Sequence, residues 1–169
     1  MKSFRLSLMV ALGLVAGGCS YSPNPANFPT HLRTIAVPVF QNRTTQPGLD
    51  TEVTEAVVNR FVRDNNLRVV GEDQADLLIT GAITSYSNAV FGFNAREQAQ
   101  EYQVAVTASV TAKDRVKNRE MWRDDNLVRT ANYFVVAAPG QEVQDEATGR
   151  LNAIEKIADA VLNKTVEGW

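Results

Sequence analysis

The sequence predicts an α+β domain in which two helices pack on one face of a four-stranded mixed sheet. Two observations lead to this fold class. Strand-like and helical periodicities alternate along the chain in the order β-α-β-β-β-α. Each helical segment also carries its apolar residues on one side only, so that a single sheet covers both helices.

The first strand and the first helix are predicted between Thr34 and Asn66. Thr34–Phe40 is rich in β-branched residues, and Pro38 within it has no backbone N–H to donate, which favours an edge position. From Leu49 onward apolar residues recur every four positions, which predicts a helix that ends near Asn65–Asn66. A strand–helix–strand crossover is right-handed, so the two strands that it joins are expected to be parallel.

The rest of the sheet is predicted as an antiparallel meander. Leu67–Val70 returns briefly to strand character, and three substantial strands follow at Leu77–Tyr86, Tyr102–Ala112 and Met121–Val136. Apolar and polar residues alternate regularly in the middle one. Past Pro139–Gly140 a second helical stripe runs through Val143, Ala147, Leu151, Ile154, Ala158, Val161 and Leu162.

The amino terminus has the organisation of a bacterial lipoprotein signal. Lys2 and Arg5 precede a short apolar stretch, and small residues lead directly into Cys19. We expect a signal peptide over residues 1–18, lipid attachment at Cys19, a proline-rich tether over 19–33 and one domain over 34–169. Two or three acyl chains on Cys19 anchor a protein stably to a membrane surface.

The composition argues against several classes of function. The chain has 17 Lys and Arg against 19 Asp and Glu, so it lacks the basic surface that nucleic-acid binding requires. His31 is the only histidine and lies at the end of the proline-rich segment, which argues against a histidine-based triad, and a single histidine cannot form a multi-histidine metal site. Cys19 is the only cysteine, and we expect it to carry the lipid. We therefore expect no enzyme, no metal and no cofactor beyond the covalent lipid, and we expect His31 to be an ordinary surface residue.

One face of the predicted strand Tyr102–Ala112 is a candidate docking surface. Its members are small, uncharged and mostly hydroxyl-bearing, namely Gln103, Ala105, Thr107, Ser109 and Thr111. A polar face without charge suits packing against a polar protein wall. A solvated face made of residues with high strand propensity is the alternative.

The connection after this strand carries a row of alternating cations at Lys113, Arg115, Lys117 and Arg119. In an extended geometry these four side chains share one side. Such a row fits the phosphates of an anionic glycolipid, which arginine binds with paired hydrogen bonds. Charged hairpin tips also serve solubility alone, so both interpretations stay open.

Short motifs along the chain occur in the order found in one known family. They are Thr34-Ile35-Ala36-Val37-Pro38-Val39-Phe40-Gln41-Asn42-Arg43-Thr44-Thr45, Pro47-Gly48-Leu49, Leu67-Arg68-Val69-Val70 before Ala75-Asp76, Leu78-Ile79-Thr80-Gly81, Ile83-Thr84-Ser85-Tyr86, Glu101-Tyr102, Trp122 and Tyr133-Phe134. From Cys19 to Trp169 the chain resembles the LptE family of lipopolysaccharide-assembly lipoproteins. The resemblance implies an outer-membrane lipoprotein inside the lumen of the β-barrel LptD, where it assists barrel assembly, plugs the pore and binds lipopolysaccharide.

A second class of protein shares part of this pattern. Periplasm-facing lipoproteins of the LpoB and CsgG type resemble the chain in the Ile35-Ala36-Val37 strand start, the Asn42-Arg43-Thr44 turn and the run Ala75-Asp76-Leu77-Leu78-Ile79-Thr80-Gly81. Such a protein would regulate a cell-wall synthase or form its own assembly. The strand after Trp122 and the Tyr133-Phe134 pair favour the LptE interpretation.

Overall fold

The structure is a computed structural model that describes residues 28–136 and 142–166. Cys19, the leader and most of the predicted tether lie outside these residues. Lipid attachment at Cys19 therefore stays a prediction.

The described chain forms six strands and two helices. They are β1 (Thr34–Ala36), β2 (Gln41–Asn42), α1 (Leu49–Asp64), β3 (Arg68–Val69), β4 (Leu77–Phe93), β5 (Ala99–Asp114), β6 (Arg119–Phe134) and α2 (Glu146–Val166). The strands form one sheet in the order β3-β1-β4-β5-β6, and β2 also pairs with β4. The α+β class is confirmed, but the predicted count of four strands is wrong.

The two additional strands have two residues each: β2 pairs with β4, and β3 pairs with β1. The predicted strand Thr34–Phe40 is split in two: β1 pairs with Leu77 and Leu78, and β2 rejoins β4 at Ala82 and Ile83. Pro38, which has no N–H for a ladder, lies in the gap between them. The expected edge position was wrong, because β3 lies on the outer side of β1.

The predicted strand directions are confirmed. β1 runs parallel to β4, and β4, β5 and β6 form an antiparallel meander. Val104, Val106, Ala108 and Val110 of β5 are fully buried against the helices, whereas the residues between them stay half-exposed. The helices thus cover one face of the sheet and leave the other open.

Helix α1 has the predicted limits. Gly48, at its start, has φ of 82°, and Asn65, at its end, has φ of 59°; both are left-handed conformations that glycine and asparagine adopt most easily. Leu49, Val53 and Val57 are fully buried.

Helix α2 buries four members of the predicted stripe, namely Ile154, Ala158, Val161 and Leu162. Two members are not part of the buried face: Val143 lies before the helix and is 59% exposed, and Leu151 is 51% exposed. A Cβ at Gly149 would lie 2.6 Å from Cδ1 of Tyr133. The glycine therefore lets the start of the helix approach β6 closely.

The folded body begins earlier than predicted. Leu32 is 3% exposed in the core, and Phe28 packs against it, so residues 28–33 belong to the domain rather than to a tether. The carboxylate of Asp76 accepts hydrogen bonds from the backbone amides of Arg33 and Thr34 at 2.9 and 3.0 Å. The amide of Arg33 and the hydrogen bonds of Thr34 outweigh burial and hold the pKa of Asp76 below its usual value.

Side-chain hydrogen bonds join the sheet to α2 and join α2 to α1. The hydroxyl of Tyr86 donates to Glu146 at 2.6 Å, and Arg150 donates two hydrogen bonds to Glu52 at 2.8 and 3.0 Å. Burial, followed by the bond to Glu146, raises the pKa of Tyr86 to about 12.

Across residues 28–136 and 142–166, neither helix has the length and apolar character needed to cross a membrane.

Candidate functional site

The open face of the sheet is built around the polar positions of β5. Gln103, Thr107, Ser109 and Thr111 are half-exposed on the side away from the helices, where the alternation of the strand predicts them. Three of the four carry a hydroxyl group, and none carries a charge. The centre of this face therefore presents donors and acceptors that lose little hydration energy when they contact another polar surface.

A shallow depression of about 210 Å³ lies on this face beside β5. It forms where the two-residue strand β2 meets β4 at small side chains, since Gln41 pairs with Ala82 and Ala82 with Ser109. The guanidinium of Arg43 donates to the side-chain oxygen of Gln41 at 2.9 Å, which holds the cation at the rim. The lining residues are Gln41, Arg43, Thr80, Gly81, Ala82, Ser109 and Thr111.

Charged side chains surround this polar centre on β6. Arg123 donates to Glu120 at 2.8 Å and lies 3.8 Å from Asp125, whose carboxylate accepts from Ser109 at 3.2 Å. The charges are thus paired with each other or bonded to the hydroxyl groups of β5. The sequence alternation revealed the neutral centre but not this charged margin, because the pairing partner of each β5 residue depends on the register.

The predicted row of hairpin cations is not a row in the structure. Residues 115–118 form the turn, and Lys113 pairs with Glu120 while Asp114 pairs with Arg119. Lys113 and Arg119 therefore lie on opposite faces of the hairpin. The expectation that all four cations share one side was wrong, because the strand ends before the second cation.

The four cations also differ in what they contact. Arg115 donates to the carbonyl of Glu72, and Arg119 lies 3.6 Å from the buried carboxylate of Asp114. Lys113 and Lys117 are exposed, and within residues 28–136 and 142–166 neither ammonium group has an ion-pair partner within 4.0 Å. The two lysines are thus the cations at this end that are best placed to bind an external anion.

The hairpin is held by Asp114, whose side chain is fully buried. Its carboxylate accepts a hydrogen bond from the amide of Lys117 at 2.9 Å and lies 2.9 Å from Nε2 of His31. Burial alone would raise the pKa of Asp114, but the bonds from Lys117 and His31 outweigh it and leave the pKa below its usual value. His31 is thus not the ordinary surface residue that we expected, because it joins the amino-terminal segment to this hairpin.

Sequence reasoning missed Arg43, Gln41 and Thr80 as members of the depression. A strand of two residues is too short to show a period, so no pattern indicated which way Gln41 points.

Within the described part of the chain, no group of three or more His, Cys, Asp or Glu side chains is placed to hold a metal ion.

Solved structures share this fold. A hypothetical protein of Chlamydia trachomatis aligns with a TM-score of 0.54 at 10% identity, covering 79% of this chain and 98% of that protein. A lipoprotein B of Nitrosomonas europaea aligns with a TM-score of 0.53 at 10% identity, covering 82% and 84%. A minor lipoprotein of Acinetobacter baumannii aligns with a TM-score of 0.51 at 11% identity, covering 82% and 95%. At these identities the likeness concerns the fold alone.

Sequence comparison identifies the family. No curated protein matches the chain. The sequence profile of the LptE family, described as lipopolysaccharide-assembly, matches residues 32–165 and so spans nearly all of the described structure. The strands and helices follow one another along the chain in the same order as the sequence motifs that resemble this family. The chain belongs to the LptE family of lipopolysaccharide-assembly proteins.

Proposed function

We propose that this chain is a non-enzymatic outer-membrane lipoprotein that is anchored through Cys19 and fits inside an LptD-type β-barrel. There it helps the barrel to assemble, plugs its lumen and binds lipopolysaccharide on its way to the outer leaflet. The observation that carries the proposal is the family match over residues 32–165. The open face of the sheet supplies the surface that such a role requires.

The chemistry of the open face supports contact with a barrel wall. The lumen of an outer-membrane barrel is polar, because the side chains of its strands alternate between lipid and lumen. Thr107, Ser109 and Thr111 offer hydroxyl groups that both donate and accept, so they fit a polar wall without burying an unpaired charge.

The hairpin between β5 and β6 is the proposed contact for lipopolysaccharide. The exposed ammonium groups of Lys113 and Lys117 attract the phosphates of the glycolipid head group. Arg115 and Arg119 have secondary roles in this proposal, because each already contacts an oxygen of the protein. The guanidinium of Arg43, at the rim of the depression, is a further cation on the open face.

Affinity purification of the tagged chain from membranes tests the proposal. We expect a large outer-membrane barrel to be recovered in near-equal amount. Recovery of a cell-wall synthase, without the barrel, would contradict it and would favour a regulator of the LpoB type. A control purification from a strain with the untagged chain identifies proteins that bind the resin alone.

A further inference from the structure

The two edges of the sheet differ in how well they are protected against pairing with another strand. β6 forms one edge and carries six charged residues among its sixteen. Its carbonyl groups also have partners: Lys156 donates to Thr130 at 2.7 Å, and the amide of Gln144 donates to Phe134 at 2.7 Å. Charged side chains and occupied carbonyl groups are the devices by which natural sheets prevent edge pairing.

In the part of the chain that the structure describes, the outer half of β4 has neither charged side chains nor bonded carbonyl groups on its free side. Its pairing with β5 is irregular at Thr84 and between Val90 and Phe93, which leaves Ser85–Val90 as a regular stretch of edge. β1 and β2 pair with β4 only as far as Ile83, and within residues 28–136 and 142–166 nothing pairs with its free side from Thr84 to Phe93. These ten residues include no charged side chain and no proline. We call Thr84–Phe93 the bare edge.

Exposed apolar side chains accompany the bare edge at its far end. Val90, Phe91 and Phe93 are 42%, 57% and 64% exposed. An uncharged edge of this length, with apolar groups beside it, is a template for an added strand, because its free backbone groups bond to any extended chain laid along it. The absence of charge on the edge favours an uncharged occupant, since no residue from Thr84 to Phe93 could pair with a charge on the added strand.

The geometry points to an extended, uncharged segment of the barrel partner, and we propose that this segment pairs with the bare edge as an added strand. This assignment rests on the proposed function, which supplies the barrel. Exposure favours the barrel over a second copy of this chain. Eight of the ten residues are exposed and only Tyr86 and Gly92 are half-buried, so a strand added in open solvent would have water on both faces. Inside a lumen, the barrel wall itself covers the added strand.

Photocrosslinking tests the contact directly. A benzoylphenylalanine residue replaces Ser87 or Ala89 on the bare edge. As a matched control, it replaces Asn126 on the protected edge, β6. All three positions are exposed. We expect crosslinks to the barrel from the first two positions and about tenfold fewer from Asn126. Crosslinked dimers of this chain in place of crosslinks to the barrel would overturn the assignment.

Lysine substitutions test whether the edge contributes to binding. Ser87→Lys with Ala89→Lys places two charges on the bare edge, and Asn126→Lys with Val128→Lys places the same two charges on the protected edge. Val128 pairs with Thr107 of the open face, so the second pair should also lower barrel recovery, but only slightly. We expect the first pair to lower barrel recovery about tenfold further than the second pair does. Circular dichroism of both variants verifies that the fold is retained.

The outcomes separate this inference from the proposed function. If the wild-type chain recovers no barrel, the proposed function is wrong and the inference is wrong with it. If the wild type and both lysine pairs recover the barrel equally, and Ser87 and Ala89 give no crosslink, only the assignment of the bare edge is wrong.

Discussion

Gly81→Ala should destabilise the domain, because Gly81 lies under the ring of Phe40. A Cβ at Gly81 would fall 2.7 Å from Cδ1 and 2.9 Å from Cζ of Phe40, and closer still to Cε1. Ordinary contacts are about 3.5–4.0 Å, so the ring must move by about 1 Å. Phe40 is 1% exposed, and its amide bonds to the hydroxyl of Thr54 at 3.0 Å, so the ring has little room to move.

The expected loss follows from the overpacking of a filled core. Such changes destabilise by about 1–3 kcal/mol. With a denaturant dependence of about 2 kcal/mol per molar urea, the unfolding midpoint should fall by about 0.5–1.5 M. The measurement is urea unfolding followed by circular dichroism, on the mature chain without its lipid.

Gly71→Ala is the matched control for this prediction. A Cβ at Gly71 meets nothing within 4 Å, and its φ of −65° suits alanine, so the midpoint should not fall. Gly81→Ala combined with Phe40→Leu should regain part of the loss, since the smaller side chain makes room. Equal midpoints for Gly81→Ala and Gly71→Ala would refute the packing argument.

Three further predictions concern acid stability, the anchor and the glycolipid contact. Folding lowers the pKa of Asp76, so its carboxylate stabilises the folded state above the usual pKa of about 4, and this stabilisation is lost as the pH falls below that value. Between pH 6 and pH 3 the urea midpoint should therefore fall less for Asp76→Asn than for the wild type. Cys19→Ala should release the chain from the membrane fraction, as measured by sedimentation in high salt. Lys113→Gln with Lys117→Gln should weaken lipopolysaccharide binding in a salt-sensitive way, whereas Arg119→Gln should weaken it less, because Asp114 already compensates its charge.

Each of these predictions has an outcome that contradicts it. Parallel pH profiles for Asp76→Asn and the wild type would show that the carboxylate contributes no folding energy. A Cys19→Ala chain that still sediments with membranes would contradict lipid attachment. Unchanged glycolipid binding after removal of Lys113 and Lys117 would leave both lysines as solubility groups.

The parts of the fold that could be predicted are those with long, regular patterns. The alternation around Val104 identified β5 and its open face, and the four-residue spacing from Leu49 gave the limits of α1. β2 and β3 have two residues each and cannot show a period: Leu67–Val70 showed strand character without a place in the sheet, and the division of Thr34–Phe40 into β1 and β2 was not predicted. The close approach of Gly149 to Tyr133 was not predicted either, because it is visible only in the packing of α2 on β6.

The candidate site was less predictable, because it depends on contacts between distant segments. Arg43 directly follows the two-residue strand β2, and only the pairing of Gln41 with Ala82 shows that this strand adjoins the open face. The pairing of His31 with Asp114 spans 83 positions, and no local pattern indicates it. The bare edge of β4 could not be inferred either, since the absence of a neighbouring strand is a property of the topology.

The amino-terminal segment and the Phe93 tip lie at opposite ends of the sheet. His31 joins the Asp114 end of β5, whereas Phe93 lies at the opposite end of β4, sixteen residues from Leu77. At about 3.3 Å per residue this separation is on the order of 50 Å, which exceeds the hydrocarbon thickness of a bilayer, about 30 Å. If Cys19 carries the proposed lipid, the Phe93 end of β4 can therefore lie farther from the anchored end than one bilayer is thick.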